Sequence, residues 1–114
     1  MPAKGLSAEL SASAPVFAAL GDVTRLRLVA RLSGGQPHSI TQLSAGSALT
    51  RQAITKHLHV LSEAGLVRGR KQGREQMWEL NLREIQEARR RLDLIAQQWD
   101  GALARLKLMV EDEG

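Results

Sequence analysis

The sequence contains no cysteine and no tyrosine, and its only aromatic rings are Phe17, Trp78 and Trp99. Without cysteine there is no disulfide framework, thiolate metal site, iron–sulfur cluster or cysteine nucleophile. Three rings are too few for an RNA-binding surface that stacks several bases. No apolar run approaches the roughly 18 residues needed to span a bilayer. The N-terminus has one Lys and no apolar stretch of secretory length, so no signal peptide is expected and the cytoplasm is the expected location. What remains is a chain of 114 residues, 43% hydrophobic, with 16 basic and 12 acidic side chains and a net charge of +4. That length suits one small domain with its own core.

Residues 1–13 are rich in Ser, Ala and Gly and have little apolar periodicity, which predicts a flexible N-terminal arm. Helical spacing begins at Ser13, a potential cap, with Pro15 in the first turn and Phe17 and Leu20 on a buried stripe. Gly21 stops that helix. Asp22 caps a second, with Val23, Leu26, Val29 and Ala30 as its apolar positions, and Gly34-Gly35 ends it. Two helical segments follow. Thr41 is the expected cap of a short one over Gln42–Ala45. After a break at Gly46-Ser47-Ala48, Thr50 caps a longer one from Arg51 to about Ala64, closed by Gly65. A short helix, a tight turn and a longer helix form a helix–turn–helix length pattern.

Beyond Gly65 the period changes to two. Leu66–Lys71 and Arg74–Leu80 read as a hairpin turning at Gln72-Gly73, with Gln76, Trp78 and Leu80 on one face. The remainder, from about Leu82 to Val110, is one long helix. Ile85, Leu92, Trp99 and Leu106 recur every seven residues, with Ala88, Ile95, Ala102 and Met109 three places after each. The acidic Glu111-Asp112-Glu113 end opposes the helix dipole, so fraying is expected there.

The longer helix after the turn holds the chemistry. At 100° per residue, Ile54, Leu58 and Leu61 share one side and face the core, while Arg51, Gln52, Thr55, Lys56 and His59 project elsewhere. Arg can bridge guanine O6 and N7, Gln can pair with adenine, Thr can meet a base or the thymine methyl, and Lys suits a phosphate. Residues 50–74 hold six basic side chains against Glu63 alone, a local charge of +5, which leaves −1 for the rest of the chain. A basic helix beside a basic hairpin tip, with Arg68, Arg70, Lys71 and Arg74, makes a surface able to grip duplex DNA at two points.

From Phe17 to Leu80 the chain resembles the winged helix–turn–helix domain of the ArsR-type bacterial transcriptional regulators. The matching blocks are Ala19–Leu28, Thr50–Leu61 and Ala64–Val67, followed by a hairpin ending Trp78-Glu79-Leu80. The resemblance implies a mainly α fold with a β-hairpin wing, in the order α-α-α-α-β-β-α. Residues 14–80 would form the DNA-binding part and 81–114 a dimerisation helix within the same single domain. It further implies a homodimeric repressor on a roughly palindromic double-stranded operator, released by some signal. Residues 50–64, with Thr50 at the tip, would enter the major groove, and the wing over 66–80 would lie on the backbone or minor groove. The first and last helices would form the dimer interface, through Phe17, Ile85, Leu92, Ile95, Trp99, Leu103 and Leu106.

The sequence also departs from its relatives. Many of them sense metals through cysteines where this chain has Ser39–Ser44, and others use acids and histidines on the last helix, which has no His here. His57 and His59 are two apart on one helix, about 200° around it, and cannot share an ion. His57 is expected to pack under the helix and His59 to face solvent or phosphate. No metal, cofactor or enzymatic role is therefore expected, and the effector is unnamed. Two alternatives stand beside the DNA-binding reading. One is a winged-helix protein-interaction module without specific DNA binding. The other is a repressor with a small apolar ligand between its first and last helices, near Phe17, Trp99 and Met109.

Overall fold

The computed structural model describes residues 3–113. Five helices and three short strands run in the order α1 (Ala3–Leu20), α2 (Val23–Leu32), β1 (His38–Ser39), α3 (Ile40–Ser44), α4 (Arg51–Glu63), β2 (Val67–Gln72), β3 (Glu75–Leu80) and α5 (Leu82–Glu113). The architecture is the expected helical unit with a β-hairpin wing, with one addition. β1 pairs antiparallel with β3 through His38–Trp78 and Ser39–Met77, giving a sheet of order β1-β3-β2. Two residues after Pro37 show too little alternation to register as a strand; only the edge of β3 makes them one.

The core gathers one or more residues from nearly every element. Leu28 and Leu32 of α2, Leu43 of α3, and Ile54, Leu58 and Leu61 of α4 meet Leu66, Val67, Trp78 and Leu80 at the base of the wing. Val16 and Ala19 of α1 and Ala88 of α5 close it from the other side. On α2, however, only Val29 of the expected apolar positions packs against the core. Val23 and Leu26 are 60% and 49% exposed and Ala30 is also exposed, while Leu28 and Leu32 face inward. The helix carries apolar residues on two faces, and spacing alone does not say which face meets the core.

The caps follow the same mixture. Asp22 accepts from the Arg25 backbone N–H, and Thr50 Oγ1 accepts from that of Ala53, both as expected. The cap of α3 is Ser39, two places before Thr41. Its hydroxyl accepts from the Gln42 N–H while the Gln42 side chain accepts from the Ser39 N–H, a reciprocal capping box. Gly65 ends α4 at φ +82°. The hairpin turns at Gly73-Arg74, one residue later than expected. Gly73 alone takes a positive φ (+66°), as the first position of a II′ turn requires.

The expected flexible arm over residues 1–13 is not seen from Ala3 onward; residues 1 and 2 lie outside the described residues. α1 begins at Ala3, so Ser13 and Pro15 sit inside it rather than at its start. Ser13 is fully buried and its hydroxyl donates to the Glu9 carbonyl at 2.7 Å. Glu9 Oε1 meets Arg90 of α5 at 2.9 Å. This is helix stabilised by tertiary packing, which a low-periodicity sequence does not announce. At the other end α5 stays helical through Glu113, where fraying was expected.

Candidate nucleic-acid interface

α4 sits with its apolar edge in the core: Ile54, Leu58 and Leu61 are at most 1% exposed. The geometry leaves Arg51, Gln52, Lys56 and His59 exposed on the opposite side, with Thr55 half-buried among them. Together with Ile40 these five side chains line one shallow open groove that includes no acidic residue. Thr55 Oγ1 donates to the Arg51 carbonyl at 2.8 Å, so its methyl and oxygen lone pair are what remain for a partner. Thr50 accepts from the helix and keeps its own hydroxyl hydrogen available.

Two side chains from the next elements brace this helix. The Arg25 guanidinium donates to the Ala19 carbonyl at 2.6 Å and to His57 Nδ1 at 3.3 Å, tying α2 and α4 together at the end of α1. Asp22 Oδ2 lies 3.9 Å from the same His57 nitrogen. The N–H of Arg25 holds the Asp22 carboxyl below the usual carboxylate range. His57 thus packs under the helix as expected. His59 does not simply face solvent: its ring lies 5.8 Å from that of Trp78, tilted by 48°. The two histidines point to different neighbours. Among the described residues no group of three His, Cys, Asp or Glu is placed to hold a metal ion.

The wing divides its charges. The register pairs Val67 with Leu80, Gly69 with Trp78 and Lys71 with Gln76. Since Trp78 meets His59, that is the face turned toward α4, and Lys71 belongs to it. Arg68 and Arg70 alternate onto the other face, where Arg70 lies 3.9 Å from Glu79. Arg68 is at the hairpin base, in a hollow shared with Glu79 and Arg83. Arg74 stands at the tip, in the turn. The basic residues of the hairpin, close together in sequence, are therefore not the single basic tip expected. Lys71 lies on the face turned toward α4, and Arg68 lies on the other.

A helix-turn-helix domain family matches residues 20–70, the stretch that holds this surface. An ArsR-like transcriptional regulator from Rhodococcus has a solved structure with 38% identity and a TM-score of 0.71, the alignment covering 92% of this chain and 95% of that one. An HTH-type transcriptional regulator of Mycobacterium tuberculosis is 32% identical over 96 residues, or 84% of this chain and 86% of that protein. The chain belongs to the ArsR-type family of winged helix–turn–helix transcriptional regulators. It is a DNA-binding regulator and not an enzyme. A third likeness is one of fold. It is to a solution structure from Mycobacterium bovis, described as the homodimeric winged helix-turn-helix DNA-binding domain of a possible ArsR-family regulator. That chain is 20% identical, with a TM-score of 0.62 and coverage of 86% and 89%.

Three residues that position the regulator's interface escape a reading of the sequence. Arg31 reaches from α2 to donate to the carbonyls of Leu43 (3.0 Å) and Gln42 (2.9 Å), satisfying the C-terminal end of α3. Its place on the solvent side of a helix gives no hint of this. Asn81 bonds Gly65 through its side chain and Leu66 through its N–H, while its carbonyl accepts from Glu84 and Ile85. It fastens the wing base to α5, and an Asn before a helical run is a signal that was there to be found. Gly69 lets the Trp78 ring lie across β2, since a Cβ there would stand 3.1 Å from the ring.

Proposed function

We propose that the regulator is a homodimeric, cytoplasmic repressor that places α4 of each subunit in the major groove of a roughly palindromic operator. The observation that carries this reading is the acid-free row of Arg51, Gln52, Thr55, Lys56 and His59 along the outer side of α4, with Lys71 on the face of the wing that turns toward it. Arg51 and Gln52, in the first turn, are the base-reading pair, since the leading residues of a recognition helix meet base edges. Thr50, Lys56, Arg70, Lys71 and Arg74 contact phosphates or the minor groove, and Arg68 contributes least.

The dimer is the second half of the proposal. Leu92, Trp99, Leu103 and Leu106 are 52–64% exposed on one helix, a stripe that a protomer alone leaves in water. The homodimeric likeness from Mycobacterium bovis supports the same assembly. Ile85 is packed on the core of its own protomer and so sits at the edge of that seam, as does Phe17 on α1.

Binding to duplexes selected from a random pool tests the reading. Affinity should fall steeply with salt, with a log–log slope near −0.9 for each phosphate contacted. Arg51→Ala and Gln52→Ala should each cost about 1–3 kcal/mol and relax the base preference. Lys71→Ala and Arg70→Ala should weaken all sequences alike and flatten the slope, with Arg68→Ala weaker in effect than Lys71→Ala. A salt-independent affinity, or a base preference that shifts with Lys71 and ignores Arg51 and Gln52, would refute the assignment.

A further inference from the structure

Behind the turn of the helix–turn–helix lies a cavity of about 430 Å³. One wall is a single face of α2, where Thr24, Arg27, Leu28 and Arg31 follow at helical spacing. The other wall is the turn over residues 45–49. The floor is apolar and well covered: Leu28, Leu43 and Ile54 are 4%, 2% and 1% exposed, and Leu49 stands at the rim. The size falls in the range of small-molecule sites. It is not the space between the first and last helices suggested by Phe17, Trp99 and Met109. Trp99 and Met109 are each 64% exposed, and none of the three lines this cavity.

The polar part of the lining is one-sided. It includes two guanidinium groups and no carboxylate. Arg31 is engaged with the Gln42 and Leu43 carbonyls, but Arg27 has no acceptor among the described residues. An unmatched guanidinium over an apolar floor, with the Thr24 hydroxyl one turn away, complements a molecule with an anionic head and a hydrocarbon body. A carboxylate matches the planar fork of Arg in a bidentate pair.

The position gives such a molecule a consequence. Thr50, the cap of α4, follows Leu49 directly. The turn that carries it is held by three local bonds: Ala45 N–H donates to the Gln42 carbonyl at 3.4 Å, Ser47 N–H to the Ser44 carbonyl at 3.0 Å and Leu49 N–H to Ser47 Oγ at 3.1 Å. We propose that this cavity is an effector site for a small monocarboxylate with an apolar tail, and that its occupancy shifts operator affinity by moving the turn that leads into α4. The regulatory half rests on the reading of α4 as the DNA-binding helix; the binding half does not.

Sodium octanoate titrated into the methyl-labelled full-length protein, without DNA, tests the site, with octanol as the uncharged match. The proposal expects saturable shifts at the Leu28, Leu43, Leu49 and Ile54 methyls in the millimolar range or below. Octanol, and octanoate with Arg27→Gln, should each bind about tenfold more weakly or worse, the loss of one charged contact. The absence of a saturable shift at these methyls would overturn it. So would equal binding of octanol, equal binding by Arg27→Gln, or shifts confined to the Leu103 and Leu106 methyls of α5. With a selected duplex, saturating octanoate should change DNA affinity by at least about fivefold, and the duplex should change octanoate affinity by the same factor. Octanoate binding at these methyls with DNA affinity unchanged would overturn the regulatory half. Failure to select any duplex would count against the DNA reading alone, because the methyl titration judges the site independently.

Discussion

Gly69 faces Trp78 across the hairpin, and the indole ring fills the space a side chain would take. Trp78 is 5% exposed, and its ring also meets His59 of α4, so one residue links the wing to α4. Gly69→Ala would place a methyl 3.1 Å from Trp78 Cζ3 and 3.3 Å from Cε3, against a ring that cannot move freely. Overpacking of this kind costs about 1–3 kcal/mol, which urea unfolding should register. The Gln76 amide that the same methyl meets is the end of a flexible side chain and yields easily. Alternation in the sequence places Trp78 on one face of its strand with Gln76 and Leu80. It did not show why position 69 is Gly, which depends on the cross-strand register. Ser39 is a similar case. The sequence points to Thr41 as the cap, two residues late, and only the reciprocal bonds between Ser39 and Gln42 reveal where the helix begins. Ser39→Ala should therefore destabilise the protein by about 1 kcal/mol while Thr41→Ala changes little, a contrast measurable in the same unfolding experiment.

Elements were legible where their own residues dictated them. α4 carries its cap, its buried stripe and its terminating Gly within sixteen residues, and the structure returns it almost unchanged. α1 and β1 depend on partners far along the chain. Residues 3–12 become helical against α5, where Glu9 meets Arg90, and β1 exists only beside β3. The candidate interface follows the same rule. The α4 side chains were legible because one helix orders them, whereas the wing's charges needed the strand register to be sorted onto two faces. α5 is both kinds of element at once. Its first half meets the core through Ile85 and Ala88, and its second half exposes Trp99, Leu103 and Leu106. If those residues form the dimer seam, Leu103→Glu leaves the protomer's core untouched and strikes only the interface. The substitution should remove about 1–1.5 kcal/mol of apolar burial per subunit and add the desolvation of a carboxylate. Sedimentation should then show a monomer with unfolding behaviour close to that of the parent. A variant that stays dimeric would place the seam elsewhere.

The whole molecule is longer than its size requires. A compact chain of this length has a radius of gyration of about 13 Å, whereas this one has 18.9 Å and a longest dimension of 67 Å. The excess comes from α5, which at 32 residues is about 48 Å long and outruns the unit it packs on. A projecting helix with an apolar stripe sets the distance between two subunits joined along it, and so fixes the separation of their α4 helices. For a two-fold dimer on B-DNA that separation should match one helical turn, about 34–36 Å. The match can be tested from the DNA side. Inserting about five base pairs between the half-sites turns the second to the opposite face of the duplex, and affinity should drop to that of a single half-site. Inserting about ten restores the face but doubles the distance. A dimer held along a rigid α5 seam cannot stretch to meet it, so this spacing should bind no better than the five-base-pair one. Fluorescence anisotropy on the three duplexes separates the outcomes. Recovery at ten base pairs would mean that the subunits are joined flexibly, and the extended α5 would then need another role.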